Sequence, residues 1–381
     1  MGLQSEMSEA ASPETRLYIQ VREKTDRPRS GKLGLREIAS AAQVSLATVS
    51  RVLNGSNRVD PNLQRSVLKA ATRLGVDISQ RNKAKALAFL LSNRAVMHSF
   101  HSRILLGAEA CCAERGWDMV FLSFAYSRQV PWKELHLPKA VQHRDVVRAV
   151  ILAGTTSTNL LELLNNKGIT HVVLGNNVVG EHKQLNADAV FSDDIRGSQE
   201  MTRYLISLGH RYIWFVGNTR LPWFARCYAG YSRAMHEAGL TPQQSSIDSE
   251  DDNESGYLGA KSVFSRKEKV TAIFAGNDQT AHGVYKGIRD NGLRIPDDIS
   301  VVGCDDTIGP FLHPRLTTIR EFPEQIGKQM VELILNRIAE PTLDRQTVTI
   351  PTELIKRESC RPLLPASSAF SDEQMTRVGT A

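Results

Sequence analysis

The chain has 381 residues, 41% of them hydrophobic and 23% charged, a composition that fits two or three globular domains and excludes a largely disordered protein. No apolar run nears the ~20 residues that span a bilayer; the longest, such as 146–153, are strand-sized. Residues 27–85 hold twelve Lys/Arg against three Asp/Glu, a formal +9, so with a total of +6 the rest of the chain carries −3.

Residues 1–32 mix Ser, Glu, Pro and Arg without periodicity. They are expected to be a disordered leader, and their polar character argues against a secretory signal. Residues 33–76 read as a compact helical domain. Leu35, Ile38, Ala39 and Ala42 recur at the spacing of one helical face. Ser45 suits the N-cap of a second helix over 46–53, which Asn54 and Gly55 stop. Asp60 and Pro61 supply the cap and first position of a third helix that runs to about Leu74. A short linker, 77–85, follows.

Between 86 and 360 the pattern alternates. Apolar runs at 86–91, 119–123, 149–153, 171–174, 213–216, 272–275 and 299–302 are separated by helical stretches at 105–115, 159–166, 199–208, 228–238, 279–291 and 322–338. Alternating units predict an α/β fold with doubly wound parallel sheets. About 275 residues exceed one compact sheet, so two lobes are expected. Residues 361–381 are polar and are read as a disordered tail.

The segment from Leu35 to Leu53 has the layout of a helix-turn-helix. Ala39 is small where the two helices must approach, and Val44 and Val49 close a little core. Ser45, Leu46, Ala47, Thr48, Ser50 and Arg51, with Asn54 just beyond, are then left to face outward. A recognition helix offers its N-terminal residues to base edges in the major groove. Arg51 can bind guanine O6 and N7, Leu46 and Ala47 can meet a thymine methyl, and Ser45 and Thr48 suit phosphate oxygens. The basic block supplies the matching charge.

The run LREIASAAQVSLATVSRVLNG, followed by VDPNLQRSVLKAATRLG, closely resembles the DNA-binding domain of the lactose/galactose repressor (LacI/GalR) family. YLISLGHRYIWFVG, YSRAMHEAGL, the stretch from VTAIFAGNDQ to VVGCDDT, PRLTTIREF and LIKRES look like that family's effector-binding domain. The resemblance covers about residues 33–360. It implies a bacterial transcription regulator, dimeric or tetrameric, whose body resembles a two-lobed periplasmic sugar-binding protein.

Two departures stand out. Gln43 occupies the turn where the family usually has Gly. Only about ten residues separate Gly75 from Ala86, where the family inserts a hinge helix of the form N-x-x-A-x-x-L. Ala84 and Leu87 echo its phase, but Leu87 reads as part of the first strand, so a shortened or absent hinge helix is expected.

Ligands of open α/β sheets bind beyond the carboxyl ends of strands. Asn277 and Asp278 follow one predicted strand, Asp305 and Asp306 another, and a third ends in a segment read as a loop holding Trp223, Phe224 and Arg226. Amide and carboxylate groups suit vicinal hydroxyls, and an aromatic face suits a sugar ring. The resemblance implies effector contacts at Asn277, Asp305 and Arg226. Glu321 follows the LTTI run and joins the set with Trp223, while Asp278 and Asp306 are read as helix caps or loop ties.

No HExxH, GxSxG or GxxxxGK[ST] motif appears, and no enzyme activity is expected. His98 and His101 with Cys111 and Cys112 lack the spacing of a zinc site. No cofactor or metal is expected. The five cysteines form no CxxC pair, which fits a reducing cytoplasm. The expected partners are operator DNA, a small sugar-like effector and a second copy of the chain, with no membrane. The sign of regulation is open between repressor, co-repressor-dependent regulator and activator.

Overall fold

The computed structural model describes residues 35–53, 59–74, 85–94, 98–180, 185–249, 251–266 and 268–363. The expected leader, Asn54, nearly all of the linker including Ala84, and the tail beyond residue 363 lie outside the described residues. The chain divides into two compact units, Met1–Asn82 and Lys83–Ala381.

The first unit holds three helices, α1 (Leu35–Ala42), α2 (Leu46–Leu53) and α3 (Pro61–Arg73). Ile38 and Ala39 of α1, Val49 and Val52 of α2, and Val67, Ala70 and Ala71 of α3 form its core. Ser45 Oγ accepts the Thr48 amide at 3.0 Å and so starts α2. Asp60 caps α3 by accepting from the Asn62 amide at 2.8 Å, with Pro61 in the first turn. Gln43, in the turn, has φ 52, the left-handed region that the family's glycine would fill without strain.

The second unit begins with β1 (Ala86–Ser92), α4 (Ser99–Glu114), β2 (Asp118–Phe124), a one-turn α5 (Lys139–Gln142) and β3 (Ala149–Gly154). Next come α6 (Thr158–Asn166), β4 (His171–Leu174), β5 (Asp188–Ser192), α7 (Asp194–Ser207), β6 (Ile213–Val216), α8 (Pro222–Glu237) and β7 (Gln243–Ser245). Then follow α9 (Asp252–Ser265), β8 (Ala272–Ala275), α10 (Asp278–Arg289), β9 (Ser300–Asp305), β10 (Thr317–Arg320), α11 (Pro323–Ala339), β11 (Thr347–Ile350) and β12 (Glu353–Ile355).

The strands form two six-stranded sheets, β2-β1-β3-β4-β5-β11 and β7-β6-β8-β9-β10-β12. Every pairing is parallel except β10 with β12. Each sheet is a lobe with apolar clusters on both faces. That is why the central strands read as unbroken apolar runs; all seven residues of β1 are buried. Strand order reverses between β1 and β3 in one lobe and between β6 and β8 in the other. The chain passes between lobes three times: after β5, after β10 and after β11.

The α/β class and its two parallel sheets agree with the alternating pattern of the sequence. Leu87 lies fully buried in β1, paired in register with Met119 and Ala149. One segment needs correction: Trp223, Phe224 and Arg226 are not in a loop. Pro222 opens α8, because a proline lacking its amide hydrogen is tolerated in a helix's first turn and presets φ. No helix among the described residues is long and apolar enough to cross a membrane.

Candidate functional site

In the first unit α2 turns Val49 and Val52 inward and leaves Ser45, Leu46, Ala47 and Arg51 exposed, with Thr48 and Ser50 half-buried. Leu46 is 45% exposed. The Ser45 hydroxyl is committed to the Thr48 amide and also lies 2.8 Å from the Thr48 hydroxyl.

In the second unit a cleft of about 430 Å³, counting its open mouth, lies at the carboxyl ends of β1, β4, β8, β9 and β10. The topology puts it there, since two sheets with facing switch points leave one shared crevice. Trp223, Asn277, Asp305 and Glu321 all line it. Arg226 is not among the lining residues. It grips Asp194, which is, with Nε at 2.9 Å and Nη2 at 2.6 Å from Oδ1. Its guanidinium also sits 5.3 Å from the Phe191 ring centroid.

The sequence reading missed the opposite wall, formed by Arg94, His98, His101 and Asn177. Arg94 and His98 follow β1, at its switch point, and reach across the lobes to Asp252 at the start of α9. Arg94 Nη2 and His98 Nε2 each lie 3.1 Å from Asp252 Oδ2, and Asn277 Nδ2 donates to the same oxygen at 2.8 Å. Burial pushes this carboxyl up, but His98, Arg94 and Asn277 together outweigh it and hold the pKa at about 2. The Arg94 guanidinium also covers the Trp223 ring, 4.6 Å from its centroid.

Asn277 uses both ends of its amide within the protein: Oδ1 caps α10 by accepting the Thr280 amide at 2.8 Å, and Nδ2 serves Asp252. Asp305 has φ 97, and its Oδ1 accepts the Thr307 amide at 2.9 Å and hydroxyl at 2.7 Å. Burial, reinforced by Asp278, pushes its carboxyl well above the usual range. Glu321 stands where the chain leaves β10 for the other lobe, with the Cys304 thiol 3.4 Å from Oε1. Burial, then the Asp194 carboxylate, pushes Glu321 up to about 8.

Asp278 and Asp306 tie loops together. Asp278 accepts from the Thr318 hydroxyl at 2.6 Å and the Gly309 amide at 2.8 Å, and Asp306 pairs with Arg357 at 2.7 Å. Cys111 and Cys112 are buried in the core near the other end of α4, far along the helix from His98 and His101. The clue to the missed wall was the pair His98 and His101, three residues apart just after the first strand. Asp252 had no such signal, because α9 carries no clear apolar stripe.

Residues 34–75 match the profile of bacterial regulatory proteins of the lacI family, and residues 202–360 match a periplasmic binding protein-like domain. The chain is 28% identical over 336 residues to the ribose operon repressor of Haemophilus influenzae, covering 85% of this chain and 98% of that protein. Among solved structures it is similar to the CelR–cellobiose complex, a transcriptional regulator, with TM-score 0.62 and 27% identity over 86% of this chain and 99% of the other. A LacI family regulator from Enterococcus faecium with bound ribose matches 73% of this chain and 100% of its own, with TM-score 0.62 and 25% identity. With a lacI-type helix-turn-helix in the first unit and two parallel-sheet lobes around a polar cleft in the second, this chain belongs to the LacI family of transcriptional regulators.

Proposed function

We propose that this chain represses transcription by holding operator DNA with α2, and that a small sugar-like effector bound between its lobes switches that grip. Residues 33–76 form the reading head, 77–85 the linker and 86–360 the body that binds effector and forms the dimer. Arg51 reads a guanine, Leu46 and Ala47 lie against thymine methyls, and Ser45, Thr48, Ser50 and Asn54 contact the backbone around them. Trp223, Asn277, Asp305 and Glu321 hold the effector, while Arg226 positions Asp194. The protein works in the bacterial cytoplasm and on the nucleoid when bound.

The observation that carries this reading is the unfinished polar wall of the cleft. His101 is 4% exposed, and its Nδ1 has no partner among the described residues; Arg94 Nε is likewise buried and unpaired. Such groups cost roughly 1–3 kcal/mol each when unsatisfied, and ligand hydroxyls would satisfy them. The bound ribose and cellobiose of the two similar regulators favour a polyhydroxylated ligand here. An effector that prefers one lobe arrangement shifts the population, and with it the spacing of two heads on a dimer.

Fluorescence anisotropy on DNA selected from a random pool tests the reading. Affinity should fall steeply with salt and change when the effector is added from a sugar panel. A flat salt response would remove the DNA-binding role, and no response to any sugar would remove the effector role.

A further inference from the structure

We propose that the effector carries a protonated amine, as in an amino sugar or another amine-bearing polyol, and that Asp305 and Glu321 receive it. The proposal rests on the effector-binding reading above and names the ligand class. Four carboxyls stand at or just behind the cleft. Asp194 is paired with Arg226, and Asp252 with Arg94. Asp305 and Glu321 form no ion pair among the described residues, and Arg226, engaged with Asp194, only modestly offsets the rise at Glu321. They bond instead to the Thr307 hydroxyl and the Cys304 thiol. They are 5% and 8% exposed and line the same cavity.

A buried carboxylate without a counter-charge is costly. Burial raises both groups, and Glu321 reaches about 8. A sugar hydroxyl can bond to either but brings no charge. An ammonium brings three donors and the missing charge together. The ring of Phe100 also lines the cavity, while Trp223 beside it already carries the Arg94 guanidinium on its face. On the opposite wall His101 lines the cavity with its Nδ1 unpartnered, a fit for a ring hydroxyl. The groups that share the cavity with Glu321 are Asp194 of α7, Cys227 of α8, Cys304 and Asp305 of β9, and Arg94, His98 and His101 beside β1, with Arg226 behind Asp194; Arg94 is already paired with Asp252 on the opposite wall.

Isothermal titration of the full chain at neutral pH compares glucosamine, galactosamine and mannosamine with glucose, galactose and mannose and with the N-acetyl derivatives. At least one amine should bind about tenfold or more tightly than its hydroxyl and N-acetyl counterparts. Its binding should release protons, seen by repeating the titration in buffers of different ionisation enthalpy, because Glu321 ionises on meeting the cation. Glu321→Gln should reduce both the preference and the proton release while melting remains cooperative; if it does not fold, the wild-type titrations still decide. A neutral sugar that binds as tightly as its amine overturns the proposal, as does failure of every amine to bind. In the first case the regulator reading stands with a neutral effector. Loss of that reading would show separately, as DNA binding without sequence preference.

Discussion

Asp305 and Asp306 are adjacent non-glycine residues with φ 97 and 55, a conformation that costs of order 1–3 kcal/mol each. Thr307 holds the first and Arg357 the second, so the surrounding bonds enforce a backbone that the residues alone would avoid. The strain aims one carboxyl into the cleft and turns its neighbour toward the arginines. Glu321 gives a pH signature. Its pKa rises from the ordinary 4.5 to about 8 on folding. Its contribution to stability is therefore full below about 4.5 and is lost as pH rises toward 8. Glu321→Gln should raise the melting temperature of the effector-free protein at pH 8, with a gain that shrinks toward pH 5. Differential scanning calorimetry across that range checks it, and an equal gain at every pH would assign the effect to packing. In the head, Arg51→Ala should cost ~1–3 kcal/mol of operator affinity and relax one base position. Equal weakening on operator and random DNA, measured by anisotropy, would make Arg51 a phosphate contact.

Among elements, α2 and β1 show two routes to legibility. Helix α2 starts where Ser45 can cap it, and a local hydrogen bond of 3.0 Å is all the start requires. Gln43 accepts a left-handed turn at a cost of about 1–2 kcal/mol because Val44 and the α1–α2 core hold the chain on both sides. Strand β1 is buried on both faces, so its apolar run needs no alternation. Leu87→Ala should destabilise the second unit by ~2–5 kcal/mol, as cavity formation in a core strand does. An unchanged melting transition with lost operator affinity would instead give Leu87 a direct part in DNA binding. Helix α8 carries a misleading start. Its first turn carries Pro222, Trp223 and Phe224, which read as a loop, yet Phe224 is buried in the core and Gly230 brings the helix against α7. A Cβ at Gly230 would lie 2.1 Å from the Ile195 carbonyl oxygen, so only glycine permits that approach.

Over the whole two-lobed unit, Asp252 is the main electrostatic tie across the cleft. One carboxylate oxygen receives Arg94 and His98 from one lobe and Asn277 from its own. Its pKa falls from 3.8 to about 2 on folding, so its contribution is full above about pH 4 and is lost as pH falls from 4 to 2. Asp252→Ala leaves Arg94 buried without its partner and should cost ~3–5 kcal/mol. It should also open the cleft, raising the radius of gyration of the effector-free chain in small-angle scattering. A variant with unchanged dimensions and unchanged melting temperature would show that the lobes close without this tie.

The sequence by itself determined what is local or periodic. The three helices of the head, the cap at Ser45 and the alternation of strands and helices follow from spacing, propensity and burial along one stretch of chain. The place of Asn277, Asp305 and Glu321 along the cleft was legible for the same reason, since each lies within a few residues of the end of an apolar run. Only the tertiary structure decided the rest. The three passages between lobes bring Arg94 and His98 to Asp252, some 155 residues away along the chain, and no periodicity encodes that meeting. The packing of α7 on α8 pairs Arg226 with Asp194, which leaves Arg226 out of the lining and Glu321 without an ion pair of its own. The pairing of buried charges depends on which side chains share a low-dielectric space, and the folded chain alone sets that.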